Sequence, residues 1–356
     1  MPDPSHPVVE LSELRAADAD RAGPKLARLG ELRSHGWQVP DGYVVTAAAF
    51  QACLTGGIRA RLHDLLTDLP DDPDGLTEVS TAARGLLEDR ALPPAVADAV
   101  ASAHERLAHR TGAGDDLVVA VRSSAVAEDA ATASFAGQFD TYLGIRGTDD
   151  VLHNVRRCFS SLYTPRALEY RRRHGMPPDD GGFAVGVLQL VDARSAGVLF
   201  TLDPASGARD RVVIEANWGL GETVVAGLVT PDHWSVKKDS GRIRERRIRD
   251  KRVQLVFDAD QARAVEVAVP DELATRPCLT DDEVRYLCRR AAELEAREGV
   301  PQDIEWAVHR GMDLPDSVFF LQHRPETTWG EHAGTDGEAF DPVEYSLRTV
   351  FGVPRP

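Results

Sequence analysis

The alternation of apolar and polar positions divides the chain into short strand-like runs set among amphipathic helices. Residues 117–121, LVVAV, are apolar and β-branched and predict a strand that ends on Arg122, Ser123 and Ser124. Residues 183–191, FAVGVLQLV, and 196–202, AGVLFTL, predict two near-continuous apolar strands, and 211–217 a further one. In 302–309, QDIEWAVH, the pattern alternates. Asp303 and Glu305 fall on one face there, and Ile304 and Trp306 on the other. In 317–325, SVFFLQHRP, Gln322 and Arg324 share a face, and RGMDLPD joins the two runs as a hairpin.

Helical spacing appears elsewhere. Residues 24–33 place Leu26, Leu29 and Leu32 on one face, with Gly36 as the expected C-cap. Thr46 is placed to cap a helix at 47–54, and Thr148 one at 149–163. Residues 92–110 carry Val96, Val100 and Leu107 after a Pro-Pro start, and an arginine-rich helix is expected at 165–174. Residues 280–297 open with a Thr280/Glu283 capping box and end at Gly299 and Pro301. TDLPDDPD at 67–74 and MPPDDGG at 176–182 read as loop and linker.

A chain of 356 residues can fill two or three lobes, each with its own core. The formal charge of −16 argues against a nucleic-acid or anionic-membrane surface. Cys53, Cys158, Cys278 and Cys288 form no C-x-x-C, so reduced thiols are expected in place of a disulfide framework or zinc site. The first residues lack the basic start and apolar core of a signal peptide, and no apolar run approaches the ~18 residues of a membrane span. A cytoplasmic protein is expected. Arginine supplies 37 of the 41 basic residues, and Lys25 is the only lysine before Lys237.

Two stretches carry candidate chemistry. The strand at 117–121 delivers Arg122 beside a small-residue loop containing Ser134-Phe135-Ala136-Gly137-Gln138. Small side chains let backbone amides close on an anion, and a guanidinium pairs bidentately with phosphate oxygens. A surface loop with one solvated arginine explains the same residues equally well. The hairpin is the second stretch. Antiparallel pairing of Glu305 with Gln322 puts Asp303 opposite Arg324, gathering two carboxylates, an amide and a guanidinium on one face. Hard oxygen ligands suit Mg²⁺, and arginine suits charge on a transferring phosphoryl group. Two cross-strand salt bridges on a solvated strand are the alternative.

The wording of these stretches resembles the N-terminal ATP-binding domain of the phosphoenolpyruvate synthase and pyruvate phosphate dikinase family. The resemblance rests on RSSA, the ED pair and ASFAGQ within 122–138, and on GPK…LGEL at 23–32 with VPDGYVVT at 39–46. It continues through IEANWGLGETVVAGLVTPDHW at 214–234 and DIEW and LQHRP in the hairpin. It implies an α+β fold of ATP-grasp type, two lobes with the nucleotide cleft between them. The lobes are expected at 1–182 and 183–328, followed by a tail at 329–356.

The resemblance also implies roles. Lys25 and Arg122 reach the nucleotide phosphates, and the loop with Ser134, Ala136 and Gly137 closes on them. The backbone at 188–191, with Gln189, Leu190 and Val191, holds the adenine. Glu305 and Gln322 ligate Mg²⁺, Arg324 holds the transferring phosphate, and Asp303 supports them. ATP and Mg²⁺ are the expected ligands. The sequence departs from the family at Pro24, where a second glycine is usual, and at Leu188 and Leu190, where glutamine and methionine are usual.

Longer members of the family carry a swivelling domain with a histidine in a T-S/C-H-A-type motif, then a pyruvate-binding barrel. No such motif occurs in these 356 residues: His323 lies in LQHRP and His332 in WGEHAG. Three functions are open at this point. The chain is the ATP-dependent phosphotransferase component that acts with a separate histidine-bearing swivelling partner; it is a stand-alone kinase for a small hydroxylated metabolite or antibiotic; or it is a non-catalytic nucleotide-binding module.

Overall fold

The computed structural model describes residues 6–125, 129–130, 133–134, 139–173 and 182–326. It divides the chain into two compact units, one of residues 1–36 and 41–190, the other of 37–40 and 191–356. Helices accompany antiparallel sheets in both units, an α+β architecture.

The first unit holds a five-stranded sheet. Its order is β1 (Val8–Glu10), β2 (Gly42–Val45), β7 (Phe183–Gln189), β3 (Val118–Ala125), β6 (Thr141–Arg146). The short ribbon of β4 (Asp129–Ala130) and β5 (Ala133–Ser134) stands apart. Among its described residues the α-helices are α1 (Ala19–Ser34), α2 (Ala47–Cys53), α3 (Ile58–Thr67), α4 (Pro73–Glu88), α5 (Pro94–Thr111), α6 (Thr148–Ser160) and α7 (Pro165–Arg173). Val119, Val121, Tyr43, Val45, Val185 and Val187 alternate onto one sheet face and pack against Phe50, Phe159 and Leu107 from the helices. Burial of this side by the hydrophobic effect is what fixes the register, since a one-residue slip would turn the whole apolar set outward.

The boundary between units differs from the expected 182/183. The strand at 183–189 pairs with β2 on one side and β3 on the other, and its first six residues are buried. A strand buried on both faces is central by necessity, so the first unit extends to Leu190. The caps differ in detail. The Thr46 hydroxyl donates to the His6 carbonyl instead of capping α2. Thr148 is the first residue of α6, after Gly147. The expected linker at 176–182 falls outside the described residues apart from its last position.

The second unit is built on a six-stranded sheet of order β11 (Ile243–Arg247), β10 (Asp232–Lys237), β9 (Arg211–Trp218), β8 (Ala193–Phe200), β14 (Gln302–His309), β15 (Val318–Pro325). A separate hairpin pairs β12 (Val253–Asp258) with β13 (Arg263–Ala268). Helices α8 (Glu222–Val225), α9 (Asp271–Ala274) and α10 (Asp281–Glu298) complete it. The capping box of α10 forms as expected: Thr280 Oγ1 accepts from the Glu283 amide, and the Glu283 carboxylate accepts from the Thr280 amide. Ile304, Leu199, Ile214 and Trp234 lie in one row across the sheet, all fully buried. Among the described residues no helix is long and apolar enough to cross a membrane.

Candidate functional site

Two groups of side chains emerge, one in each unit. In the first unit, Gly23 has φ +71° inside α1 and breaks the helix there. A Cβ at Gly23 would lie 2.1 Å from Ser124 Oγ and 2.5 Å from the Ser124 carbonyl oxygen. Only glycine combines that backbone with that approach, and it seats the Gly23-Pro24-Lys25 turn on the end of β3. Pro24 has no N–H to lose at the start of the resumed helix, so the departure from a second glycine is accommodated.

Arg122 lies opposite Gly186 in the sheet, and a Cβ on Gly186 would meet Leu26 of α1 at 2.6 Å. Arg122 and Ser124 therefore share the sheet face that α1 covers. Lys25 and Arg122, far apart in sequence, project from touching elements, both half-buried. The Ser124 hydroxyl is fully buried and has no hydrogen-bond partner among the described residues.

The expected phosphate loop is only partly described. Ala136 and Gly137 lie outside the described residues, and Ser134 is placed by its backbone alone, opposite Asp129. At the expected adenine segment the Gln189 amide donates to the Asp41 carbonyl at 2.7 Å and the Leu190 amide to the Val118 carbonyl at 2.9 Å. Those two donors are committed within the first unit, which leaves the carbonyls of Gln189 and Leu190 as the main-chain polar groups that they can offer a base. Val191 begins the second unit.

In the second unit the hairpin has the register read from the alternation. Asp303 lies opposite Arg324 and Glu305 opposite Gln322. Arg324 Nε donates to Asp303 Oδ2 at 2.8 Å, and Nη2 reaches the same oxygen at 2.7 Å. A shift in register follows Glu305, so that Trp306 pairs with Phe320. Bulges of this kind re-aim side chains beside sites. Asp303 and Gln322 are 9 % and 6 % exposed. Burial pushes the Asp303 carboxyl above its ordinary value; the Arg324 charge and hydrogen bond pull it down but do not cancel that cost, and Glu305 adds to it. Asp303 and Glu305 thus stand near one another on this face, with Arg324 against Asp303.

The oxygen donors of Glu305 and Gln322, opposite one another, fit a divalent cation. Among the described residues no three or more His, Cys, Asp or Glu side chains gather as a metal cage. Mg²⁺ does not need one, because it keeps waters and is held through one or two protein oxygens together with phosphates. Glu305 and Gln322 meet that requirement.

The same face continues across the sheet beyond what the alternation was used to read. Glu305 pairs with Val198, Val198 with Glu215, and Glu215 with His233. His233 Nδ1 lies 3.6 Å from a Glu215 carboxylate oxygen. Glu215 alternates with the buried Ile214 and Ala216, and applying period two to β9 would have found it.

The glycine-rich turn after β9 is a packed element. Gly219 has φ +75°, and a Cβ there would meet the Leu255 carbonyl at 2.2 Å. The Leu220 amide donates to that carbonyl, while the Asn217 side chain bonds Thr223 Oγ1 and the Val253 carbonyl. The turn thereby holds the end of β9 against β12.

Comparison with known proteins identifies the family. The family described as pyruvate phosphate dikinase, AMP/ATP-binding domain, matches residues 19–342. A probable phosphoenolpyruvate synthase of Methanocaldococcus jannaschii is 41% identical over 320 residues, covering 89% of this chain and 26% of that protein. One of Methanothermobacter thermautotrophicus is 40% identical over 326 residues, covering 91% of this chain and 46% of that protein. The phosphoenolpyruvate synthase of Aeropyrum pernix is 35% identical over 368 residues, covering 96% and 44%. The chain thus spans from about a quarter to a little under half of the length of these relatives. With a match that runs through both units and nearly the whole sequence, the chain belongs to the pyruvate phosphate dikinase AMP/ATP-binding domain family.

Proposed function

We propose that this protein is an ATP-dependent phosphotransferase component of ATP-grasp type, which binds Mg-ATP and passes a phosphoryl group to a histidine on a separate swivelling partner. One observation carries the reading: the cross-strand hairpin sets Asp303 against Arg324 and Glu305 against Gln322 on a single face. A module that only bound a nucleotide would have no use for a guanidinium held in a fixed fork beside magnesium-type ligands.

In this reading Lys25 and Arg122 take phosphate oxygens, together with the loop of Ser134, Ala136 and Gly137. The segment of Gln189, Leu190 and Val191 borders the adenine. Glu305 and Gln322 hold Mg²⁺, which when bound neutralises phosphate charge. Asp303 orients Arg324 by holding its Nε and Nη2, and the remaining donors of Arg324 meet the charge that develops on the transferring phosphoryl group. Charge stabilisation and positioning are the main tasks of a phosphoryl-transfer site. The acceptor lies outside these 356 residues, which contain no T-S/C-H-A-type motif.

The test is incubation with β- and γ-labelled ATP in turn, with and without a histidine-bearing swivelling protein. Slow hydrolysis alone, and rapid acid-labile, base-stable labelling of the partner when it is added, is the expected result. Label on a small hydroxylated acceptor with no partner present overturns the reading in favour of a direct kinase. Which of the two labels is transferred tells whether AMP or ADP is left.

A further inference from the structure

β11 is one edge of the six-stranded sheet, with β10 as its single ladder neighbour among the described residues. The segment around it, GRIRERRIRDKR at 241–252, holds seven basic residues against two acidic ones, in a chain of formal charge −16. Arg242, Arg244, Arg246, Arg247 and Arg249 are all exposed. Two of them are engaged: Arg246 pairs with Asp281 on the first turn of α10, and Arg247 with its neighbour Glu245. The guanidiniums of Arg242, Arg244 and Arg249 have no hydrogen-bond or ion-pair partner among the described residues. An open depression of about 520 Å³ is lined by Arg242, Arg244, Arg246 and Arg285, with Asp281 and Glu245 as its acidic members.

Charge on an edge strand keeps sheets from joining one another, and one or two lysines or arginines suffice for that. Five exposed guanidiniums around one edge of an acidic protein exceed that need. They also select the occupant. A second copy of β11 would set one group of exposed guanidiniums against another, and like charges facing one another destabilise a ladder. The edge therefore repels a second copy of itself. It attracts carboxylates, which arginine binds bidentately. The depression is open and lies along a strand with an unpaired side, which suits an extended chain better than an enclosed small molecule.

We propose that β11 is a docking edge for an extended acidic segment of a partner protein, which adds as a strand beside it and sets carboxylates against Arg242, Arg244 and Arg249. Main-chain hydrogen bonds give such an addition its affinity, and the flanking side chains give it specificity. At ~3.3 Å per residue, the stretch from Arg242 to Arg249 accepts a segment of roughly eight residues. The proposal involves none of the residues assigned to ATP.

The experiment is fluorescence anisotropy of the whole protein with a labelled peptide of alternating Glu and Val. The probes set beside it are its Lys-Val counterpart, a form N-methylated at the valines, and inorganic polyphosphate. The Glu-Val peptide is expected to bind in low salt and to weaken as salt rises. The Lys-Val peptide is expected not to bind. N-methylation, which removes peptide donors, and the double variant Arg242→Glu/Arg244→Glu are each expected to weaken binding by about tenfold or more. Arg244→Ser with Arg249→Ser is the milder variant, and circular dichroism verifies the fold of both. The proposal is overturned if the Glu-Val peptide fails to bind. It is likewise overturned if the N-methylated form or both variants bind equally well, or if polyphosphate binds this edge and the peptide does not.

Discussion

Arg324 places two donors, Nε and Nη2, on one oxygen of Asp303 across the β14–β15 ladder. The fork is thereby fixed before any substrate arrives, and fixed donors cost no reorganisation when charge develops on a transferring group. Lysine is a point charge on a flexible stem and cannot take this geometry. Arg324→Lys is expected to keep most of the ATP affinity and to lose roughly 10²-fold or more in turnover, the scale of one lost transition-state donor. Calorimetry with ATP set beside single-turnover kinetics separates the two effects. Equal losses in affinity and turnover would place Arg324 in ground-state binding instead.

Asp303 gives a pH dependence of stability. Its folded carboxyl lies above the unfolded value because burial outweighs the pairing with Arg324. The folded state therefore takes up the proton first, and stability falls as pH rises through that window. The cost is complete above the folded value and is relieved as pH drops toward the ordinary carboxylate range. Asp303→Asn removes this titration. The stability of the wild type relative to the variant is expected to grow as pH falls from neutral toward about 4. Denaturant midpoints of both proteins measured across that range check the slope, and a flat or opposite trend contradicts the assignment.

Lys25 lies on α1, which covers the sheet face that carries Arg122. Each is assigned a charge-assisted phosphate contact, worth about 1.5–3 kcal/mol. Lys25→Ala and Arg122→Ala are therefore each expected to weaken ATP binding by about ten- to a hundredfold. Glu305→Gln, which removes a ligand charge, is expected to lower affinity chiefly in its Mg²⁺-dependent part. Titration calorimetry with and without Mg²⁺ distinguishes these outcomes. ATP affinity unchanged in both cation variants would remove the phosphate assignment.

The site end of the hairpin was legible, because period-two alternation and an antiparallel pairing fix which side chains oppose one another there, whereas the register shift after Glu305 was not. Its register, Glu305 on Gln322 and Asp303 on Arg324, needed no long-range information. The capping box of α10 was equally local. What was not legible depended on contacts distant in sequence. The strand at 183–189 joins the first sheet because β2 and β3 leave a central place for it, and nothing within the strand says so. The approach of Gly23 to Ser124 joins positions about a hundred residues apart and is announced only by a glycine beside a proline. Glu215 and His233 enter the polar face through two intervening pairings, a relation that exists only once the strand order is known.

That approach yields the last expectation. Gly23 and Gly36 both have positive φ, +71° and +75°, at the two ends of the same helical run. A Cβ at Gly36 meets nothing within 4 Å, whereas at Gly23 it would strike the Ser124 backbone and side chain. Alanine at Gly36 incurs a positive-φ cost of about 1–2 kcal/mol, and at Gly23, whose ψ of 153° lies in a region essentially only glycine adopts, the backbone cost is at least as large. Only at Gly23 is the cost of overpacking added, about 1–3 kcal/mol more. Gly23→Ala is therefore expected to destabilise the protein by about 2–5 kcal/mol, and Gly36→Ala by no more than about 2. The two also differ in function. Relief of the clash requires the turn that carries Lys25 to lift away from β3, so Gly23→Ala should weaken ATP binding while Gly36→Ala leaves it unchanged. Denaturant unfolding and ATP titration of the two variants measure both quantities. If Gly23→Ala matches Gly36→Ala in stability and in ATP affinity, the seat of Lys25 on β3 does not position the phosphate contact.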